Sequence, residues 1–459
     1  MKRHDILFTG CRIVDTDTDI SRGWILVTDG LITAVGSGDP DTAVTSQVTE
    51  VIDATGLTAM PGVIDTHVHF REPGLTAKAT IASESRAAAA GGVTTYFDMP
   101  NTIPATTTPE AWDDKMKRAA ASSLVNYAFF VGATPDNIGW LSSLDYTDRP
   151  GVKLFMGSTT GATATAGHQW IDNLFSNVKA LVAVHAEDDS IIAKAADAAI
   201  TRYGGDPDCV PIAAHPAIRT REACIESTRL ITSIARRHNH RLHVCHISTA
   251  DELQMFEPGT EPAKKMITAE TCPQYLTFDS QDYDRLGARI KCNPSIKTSG
   301  DREALEAALA TGRIDTIATD HAPHMLSDKN GGALKAASGM PGVQFSLPLI
   351  LEKTLDGRLT LQSVSQLMSG NPAVIFGVER RGFIRSGYHA DLVFVTTSGT
   401  PHTIADSEVE SSCCWTPYAG ISLTYSVQST WVNGICVYAG GSFPTLPSTA
   451  ALPVKFKGV

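Results

Sequence analysis

The sequence predicts an α/β fold: a (β/α)8 TIM-like barrel with a smaller β-sandwich domain built from both chain ends. Three observations predict it. Apolar, β-branched runs alternate with helical patterns through the middle of the chain, which is the signature of parallel βα units. Both ends instead show short strands with period-two alternation and Gly-rich turns. The polar residues best suited to chemistry fall at the C-terminal ends of the central runs, the rim where a β/α barrel places its active site.

In chain order, residues 1–56 are expected to form the N-terminal part of the β-sandwich, 57–375 the barrel and 376–459 the C-terminal part of the sandwich. The first part contains short strands over 6–8, 12–14, 24–27, 31–35 and 48–52, with Gly, Asp and Ser between them. The barrel strands fall at 63–69, 93–98, 125–131, 152–155, 181–185, 242–246, 266–270 and 314–319, and eight such runs suggest closure. Helices are expected over 109–121, 191–203, 221–238 and 302–310. Alternation returns at 387–395 and again from 422 to 438.

Composition narrows the function classes. A chain of 459 residues, 42% hydrophobic and 19% charged, can bury a large core. A net charge of −11 and no cluster of Lys and Arg argue against nucleic acid as a partner. Nine cysteines, an odd number with no C-x-x-C pair, argue against a disulfide framework or a thiolate zinc knuckle and fit a reducing cytoplasm. The start Met1-Lys2-Arg3-His4-Asp5 is basic, but the apolar run after it is only Ile6-Leu7-Phe8, too short for a signal peptide or a membrane span. The mature chain is therefore expected to begin here, in the cytoplasm, away from membranes.

The chemistry begins with Asp65-Thr66-His67-Val68-His69-Phe70-Arg71-Glu72-Pro73-Gly74. Alternate side chains of a strand share a face, so His67 and His69 project together in a metal-chelate geometry. Arg71 adds a fork suited to a carboxylate. Further along, Lys153, His185, His246 and Asp320 each fall at or near the C-terminal end of a barrel strand. Lys153 stands apart, because an ammonium ion has no lone pair for a metal and would be repelled by one. Two readings remain open: a carbamate formed with carbon dioxide, whose two oxygens can bridge two cations, or an ion pair with Asp98 or Glu187.

These pieces resemble the amidohydrolase superfamily and, within it, the dihydroorotases, over essentially the whole chain. The resemblance is carried by the run from Pro61 to Gly74 together with Ala90-Gly91-Gly92-Val93-Thr94-Thr95, Asp98-Met99-Pro100-Asn101-Thr102, Val152-Lys153-Leu154-Phe155 and His185-Ala186-Glu187. His246-Ile247-Ser248, Lys291-Cys292-Asn293-Pro294 and Thr319-Asp320-His321-Ala322-Pro323-His324 complete it. It implies a barrel with two zinc ions, one held by His67, His69 and Asp320 and the other by His185 and His246. Carboxylated Lys153 and a hydroxide would bridge them. Zinc suits imidazole and carboxylate ligands, and manganese or cobalt could substitute. The resemblance also implies a substrate site formed by Arg71, Asn101, Asn293, His324 and Gly339, with Arg71, Asn101 and His324 on a substrate carboxylate.

The implied activity is reversible hydrolysis of the cyclic amide of dihydroorotate to N-carbamoyl-aspartate in pyrimidine biosynthesis, with Asp320 as proton shuttle. The partner is then a small molecule, and a homo-oligomer, dimer or tetramer, is expected. Allantoinases resemble the chain around Glu72-Pro73-Gly74 but usually lack the Arg, and hydantoinases and dihydropyrimidinases generally carry a Tyr where this chain has Ser158. Two segments, Glu270-Thr271-Cys272-Pro273-Gln274-Tyr275-Leu276 and Gly339-Met340-Pro341-Gly342, read more like the hydantoinase branch. The alternatives are therefore an allantoinase or hydantoinase-type cyclic amidohydrolase, and a non-catalytic relative using the barrel as a scaffold. His321 is assigned no role, and 325–342 is read as a loop over the pocket.

Overall fold

The computed structural model describes residues 5–46, 48–158, 169–259, 261–445 and 450–458, so the basic start at 1–4 lies outside the described residues. The first strands are β1 (Asp5–Val14), β2 (Asp19–Thr28), β3 (Leu31–Ser37), β4 (Glu50–Asp53) and β5 (Thr58–Pro61). The two strands expected at 6–8 and 12–14 are one. Gly10, at φ +76°, sits where the β1–β2 register shifts between Thr9 and Cys11, so the glycine forms a bulge and not a turn.

The barrel strands follow: β6 (Val63–Val68), β7 (Val93–Asp98), β8 (Asn126–Phe129), β9 (Val131–Gly132), β10 (Val152–Phe155), β11 (Val182–His185), β12 (Leu242–Val244), β13 (Ile267–Thr271) and β14 (Thr316–Ile317). Every neighbouring pair is parallel. Regular pairing lapses at two seams, and specific backbone bonds close both. Between β8 and β9, the Phe130 N–H donates to Asp98 O (3.1 Å) while Val131 N–H turns to Gly151 O (3.4 Å), so one stretch serves both neighbours. Between the last and first strands, Val68 pairs in parallel with His321, and the His69 N–H donates to His321 O at 2.7 Å.

Strands expected to reach residues 246 and 319 stop short. His246 and Asp320 lie beyond the ladder with φ of +40° and +48°, and Arg71 follows β6 at +68°. Non-glycine residues in this region cost of order 1–3 kcal/mol each, and such strain gathers at functional sites. Helices pack outside the strands, and Thr80, Thr108, Thr220 and Thr298 cap Ile81–Ala90, Pro109–Ser122, Arg221–His238 and Ser299–Thr311.

The chain ends with β15 (Leu392–Thr403), β16 (Ser422–Val432) and β17 (Ile435–Ala439). Both ends form one sheet in the order β17-β16-β15-β5-β1-β2-β3, with β4 also on β1. The pivot is β5, parallel to β1 on one side and antiparallel to β15 on the other. Only Gly62 separates β5 from β6, and a Cβ there would lie 2.2 Å from Thr94, so no larger residue fits this crossing from sheet to barrel. Among the described residues no helix is long and apolar enough to cross a membrane.

Candidate metal centre and active site

His67 and His69 project from the end of β6 toward one oxygen of Asp320, with His67 Nε2 at 3.4 Å and His69 Nε2 at 3.0 Å from Oδ1. All three residues are buried. Two ligand atoms on one tetrahedral zinc, each at 2.0–2.1 Å, stand about 3.3 Å apart, so these spacings suit a shared cation. The other ring nitrogens fix the tautomers. His67 Nδ1 lies 2.8 Å from Glu270 Oε1, and His69 Nδ1 lies 2.7 Å from Asn101 Oδ1. Both partners accept, so both Nδ1 atoms carry the proton and both Nε2 lone pairs face Asp320.

His185 and His246 meet across β11 and β12, with His185 Nδ1 2.9 Å from His246 Nε2. Of their other nitrogens, His185 Nε2 lies 3.3 Å from Glu187 Oε2, and His246 Nδ1 is buried without a hydrogen-bond partner among the described residues. Rings of His67 and His246 lie 5.3 Å apart between centroids, so the two histidine groups adjoin. Burial holds His67, His69 and His246 below the ordinary imidazole value, which keeps their lone pairs open to a metal. Burial raises Asp320. For Glu187 burial acts upward, but the Arg219 guanidinium, at 2.7 Å, and His185 outweigh it and bring the carboxyl to about 2.

Lys153 is fully buried on β10, and its Nζ donates to Cys245 Sγ at 3.1 Å. Neither carboxylate considered from the sequence pairs with it among the described residues: Asp98 is taken by Lys115, and Glu187 by Arg219. Two pairs of converging imidazoles, a buried carboxylate facing one pair and, between them in the barrel, a lysine with no carboxylate at ion-pair distance among the described residues together fit a pair of cations.

The remaining site residues surround this cluster. Arg71 is buried; its Nε donates to Pro323 O (3.1 Å), and its Nη2 lies 3.1 Å from His324 Nε2. Among the described residues no carboxylate lies within ion-pair distance of Arg71. Burial lowers its pKa to about 10. Asn293 and Ser158 line a cavity of about 350 Å³ with His215, Arg219, Lys291 and Ser338. The Asn293 oxygen can accept from Arg219 (3.1 Å) while its nitrogen donates to Ser338 Oγ (3.1 Å). Gly339, at φ +127°, donates to Lys291 O (2.9 Å), and a Cβ there would crowd Ala322 O at 2.7 Å. Asn293 thus belongs to the wall of this cavity, and Gly339 packs where a Cβ would come within 3.1 Å of the His324 ring.

Several functional residues escaped the sequence reading. Glu270 orients His67, and burial of its carboxyl is outweighed by His67 and His243, which hold it well below the usual range. Its strand position next to a rim was the available signal. Asp65, two residues before His67, accepts from the Thr319 N–H (3.1 Å) and Thr319 Oγ1 (2.6 Å), and so fixes the backbone leading to Asp320. His321, given no role, donates to buried Glu84 (2.7 Å) and accepts the Gly342 N–H (3.0 Å) at the closing seam. Loop 325–342 is anchored by Lys329, whose Nζ donates to Lys291 O (3.0 Å), Ala337 O (2.7 Å) and Gly339 O (2.7 Å).

A model of the amidohydrolase family matches residues 58–437. The chain belongs to the amidohydrolase family. Among its amidohydrolase relatives, a dihydroorotase of Halobacterium salinarum is 36% identical over 385 residues, covering 83% of this chain and 86% of that one. An allantoinase of Rubrobacter xylanophilus is 33% identical over 462 residues, covering 98% of this chain and 97% of that one. The solved structure of an L-hydantoinase (dihydropyrimidinase) from Arthrobacter aurescens superimposes with a TM-score of 0.89 at 27% identity, over 98% of this chain and 100% of that one.

Proposed function

We propose that this amidohydrolase is a dihydroorotase that opens and closes the ring of dihydroorotate, with N-carbamoyl-aspartate as the ring-opened form, in pyrimidine biosynthesis. One observation carries the choice of substrate. Arg71 is a buried guanidinium at the mouth of the histidine cluster with no carboxylate partner among the described residues. A buried unpaired charge is expensive, and a ring carboxylate supplies its counter-ion. Allantoin, hydantoin and dihydrouracil have no carboxylate to offer.

His67, His69 and Asp320 would hold one zinc ion and His185 and His246 the other, and Lys153, once carboxylated, would supply a carboxylate bridge. Forming that bridge joins the Lys153 amine to carbon dioxide and releases one proton. When bound, the two cations supply Lewis acidity and bring the pKa of a water near neutrality. The protein's own residues do the rest. Arg71, with Asn101 and His324, holds the substrate carboxylate and so fixes the ring. Asn293 and the Gly339 backbone flank the ring's other side. Asp320 takes a proton from the attacking water as its oxygen bonds to the ring carbonyl carbon next to the methylene. It passes that proton to the ring nitrogen as the C–N bond breaks.

The allantoinase relative, which covers nearly the full length, favours a second reading in which the ring is uncharged. A panel of dihydroorotate, allantoin, hydantoin and dihydrouracil, offered to purified protein with measured metal content, separates them. The proposal expects turnover of dihydroorotate alone. Preference for any uncharged ring rejects it, and absence of both metal and turnover leaves the scaffold reading.

A further inference from the structure

Lys78 has no place in the reading above, yet it reaches the carboxylate site from behind. The turn that carries it is held rigid: Leu75 N–H donates to Arg71 O (3.0 Å), Lys78 N–H to Leu75 O (2.9 Å), and Ile81 N–H to Glu72 Oε2 (2.9 Å). Gly74 turns at φ +81°, where a Cβ would meet Ile103 O at 2.0 Å. This geometry brings Lys78 Nζ to 2.8 Å from His324 Nδ1.

An ammonium group only donates, so His324 Nδ1 must be the acceptor and carries no proton. On the opposite edge, Nε2 lies 3.0 Å from Ser338 O, an acceptor, so Nε2 carries the proton. Two independent contacts thus select one tautomer. That leaves Arg71 Nη2, also a donor, facing the Nε2–H at 3.1 Å, donor against donor. Arg71 Nη2 and the Nε2–H, which Ser338 O accepts in this structure, thus stand side by side as two donors, an arrangement that suits the adjacent oxygens of a carboxylate drawing one hydrogen bond from each. Burial, with Arg71, Lys78 and Lys329 nearby, keeps His324 far below its ordinary pKa, so the ring itself is neutral. The positive charge behind it comes from Lys78, which is 23% exposed and also lies 3.4 Å from Asp328.

We propose that Lys78 is a positioning residue that sets anion specificity: by donating to His324 Nδ1 it holds the imidazole as an Nε2–H donor backed by a full positive charge, opposite Arg71. It also offsets Asp328, whose carboxylate would otherwise face His324 Nδ1, at 3.7 Å, and repel an anionic ring. The inference rests on the dihydroorotate reading and deepens it.

The test compares Lys78→Met, Lys78→Arg and Asp328→Asn in the full-length, metal-loaded protein. Calorimetric binding of orotate and uracil, planar rings with and without the carboxylate, is measured beside KM and kcat for dihydroorotate. Lys78→Met is expected to weaken orotate binding and raise KM about ten- to a hundredfold, the range for a charge-assisted hydrogen bond. Uracil binding, kcat and metal content should stay within a few-fold, and Lys78→Arg should restore most of the loss. Asp328→Asn should keep or sharpen the preference for orotate. The inference is overturned if Lys78→Met weakens orotate and uracil equally, if it leaves orotate binding unchanged, or if Asp328→Asn reproduces its effect, since each of these assigns Lys78 to loop support or to nothing. A wild-type protein that neither prefers orotate nor turns over dihydroorotate would sink the dihydroorotate reading itself. Preference in the wild type that survives in Lys78→Met sinks only the role of Lys78.

Discussion

Two lysines of this barrel are equally buried and differently employed. Lys115, on the helix Pro109–Ser122, reaches inward to an ion pair with Asp98, a hydrogen bond to Met99 O (2.8 Å) and the face of Phe129. Asp98 in turn accepts the Phe70 N–H at 2.7 Å, so the pair ties a helix to the strand that bears His67 and His69. Lys153, on β10 at the rim, donates to a thiol, Cys245 Sγ at 3.1 Å, and lies 5.2 Å from the Phe155 ring centroid, with no carboxylate at ion-pair distance among the described residues. Burial alone therefore does not mark a reactive lysine. The partner separates the two: Lys115 is held by a carboxylate, whereas among the described residues Lys153 has no carboxylate within ion-pair distance and stands free to react with carbon dioxide.

The comparison can be broken from either side. The largest effect is expected for Lys153→Ala: both metals lost and turnover at background, with both restored by a short carboxylic acid that fills the bridge. Retention of two tightly bound metals without added acid would refute the difference between the lysines. Next comes Asp320→Asn, which should remain folded with an unchanged melting temperature and keep much of its metal, while kcat falls by a factor of about 10² to 10⁴. Near-normal kcat would remove Asp320 from the proton path. Lys115→Met should behave in the opposite sense: it leaves Asp98 uncompensated and destabilises the fold by about 3–5 kcal/mol in denaturant titration, with no rescue by carboxylic acid. The smallest effect is expected for Glu270→Gln, which loosens the orientation of His67 and should weaken metal affinity about 10- to 100-fold in chelator competition. Unchanged affinity there would mean that the His67 tautomer is held by something else.

What the sequence made legible follows the same division. Groups placed by strand ends, such as His67 in β6 with His69 just past its last residue, or His185 at the end of β11, could be located from period-two patterning and the rim rule. Groups placed by departures from the strand could not. Alternation along 242–246 turns Cys245 away from the face of His246, yet Cys245 touches Lys153, because the ladder stops at Val244 and His246 takes φ +40°. His321 looked like a bystander of Asp320 because its partners, Val68, Glu84 and Gly342, come from elsewhere along the chain and meet it only when the barrel closes. Lys329 read as one more polar residue of a loop, and only the folded chain shows three carbonyls converging on it. In the outer sheet, the break expected between 8 and 12 is a bulge at Gly10, because glycine permits both a turn and a bulge and the choice rests on whether β2 continues alongside.

The central claim is that Lys153, and not Lys115, is carboxylated. Protein equilibrated with ¹³C-labelled bicarbonate, examined by carbon NMR alongside metal analysis, tests it directly. One carbamate resonance per chain, absent in Lys153→Ala and present in Lys115→Met, is the expected result. No such resonance in protein that holds two metals, or one that persists in Lys153→Ala, would contradict it.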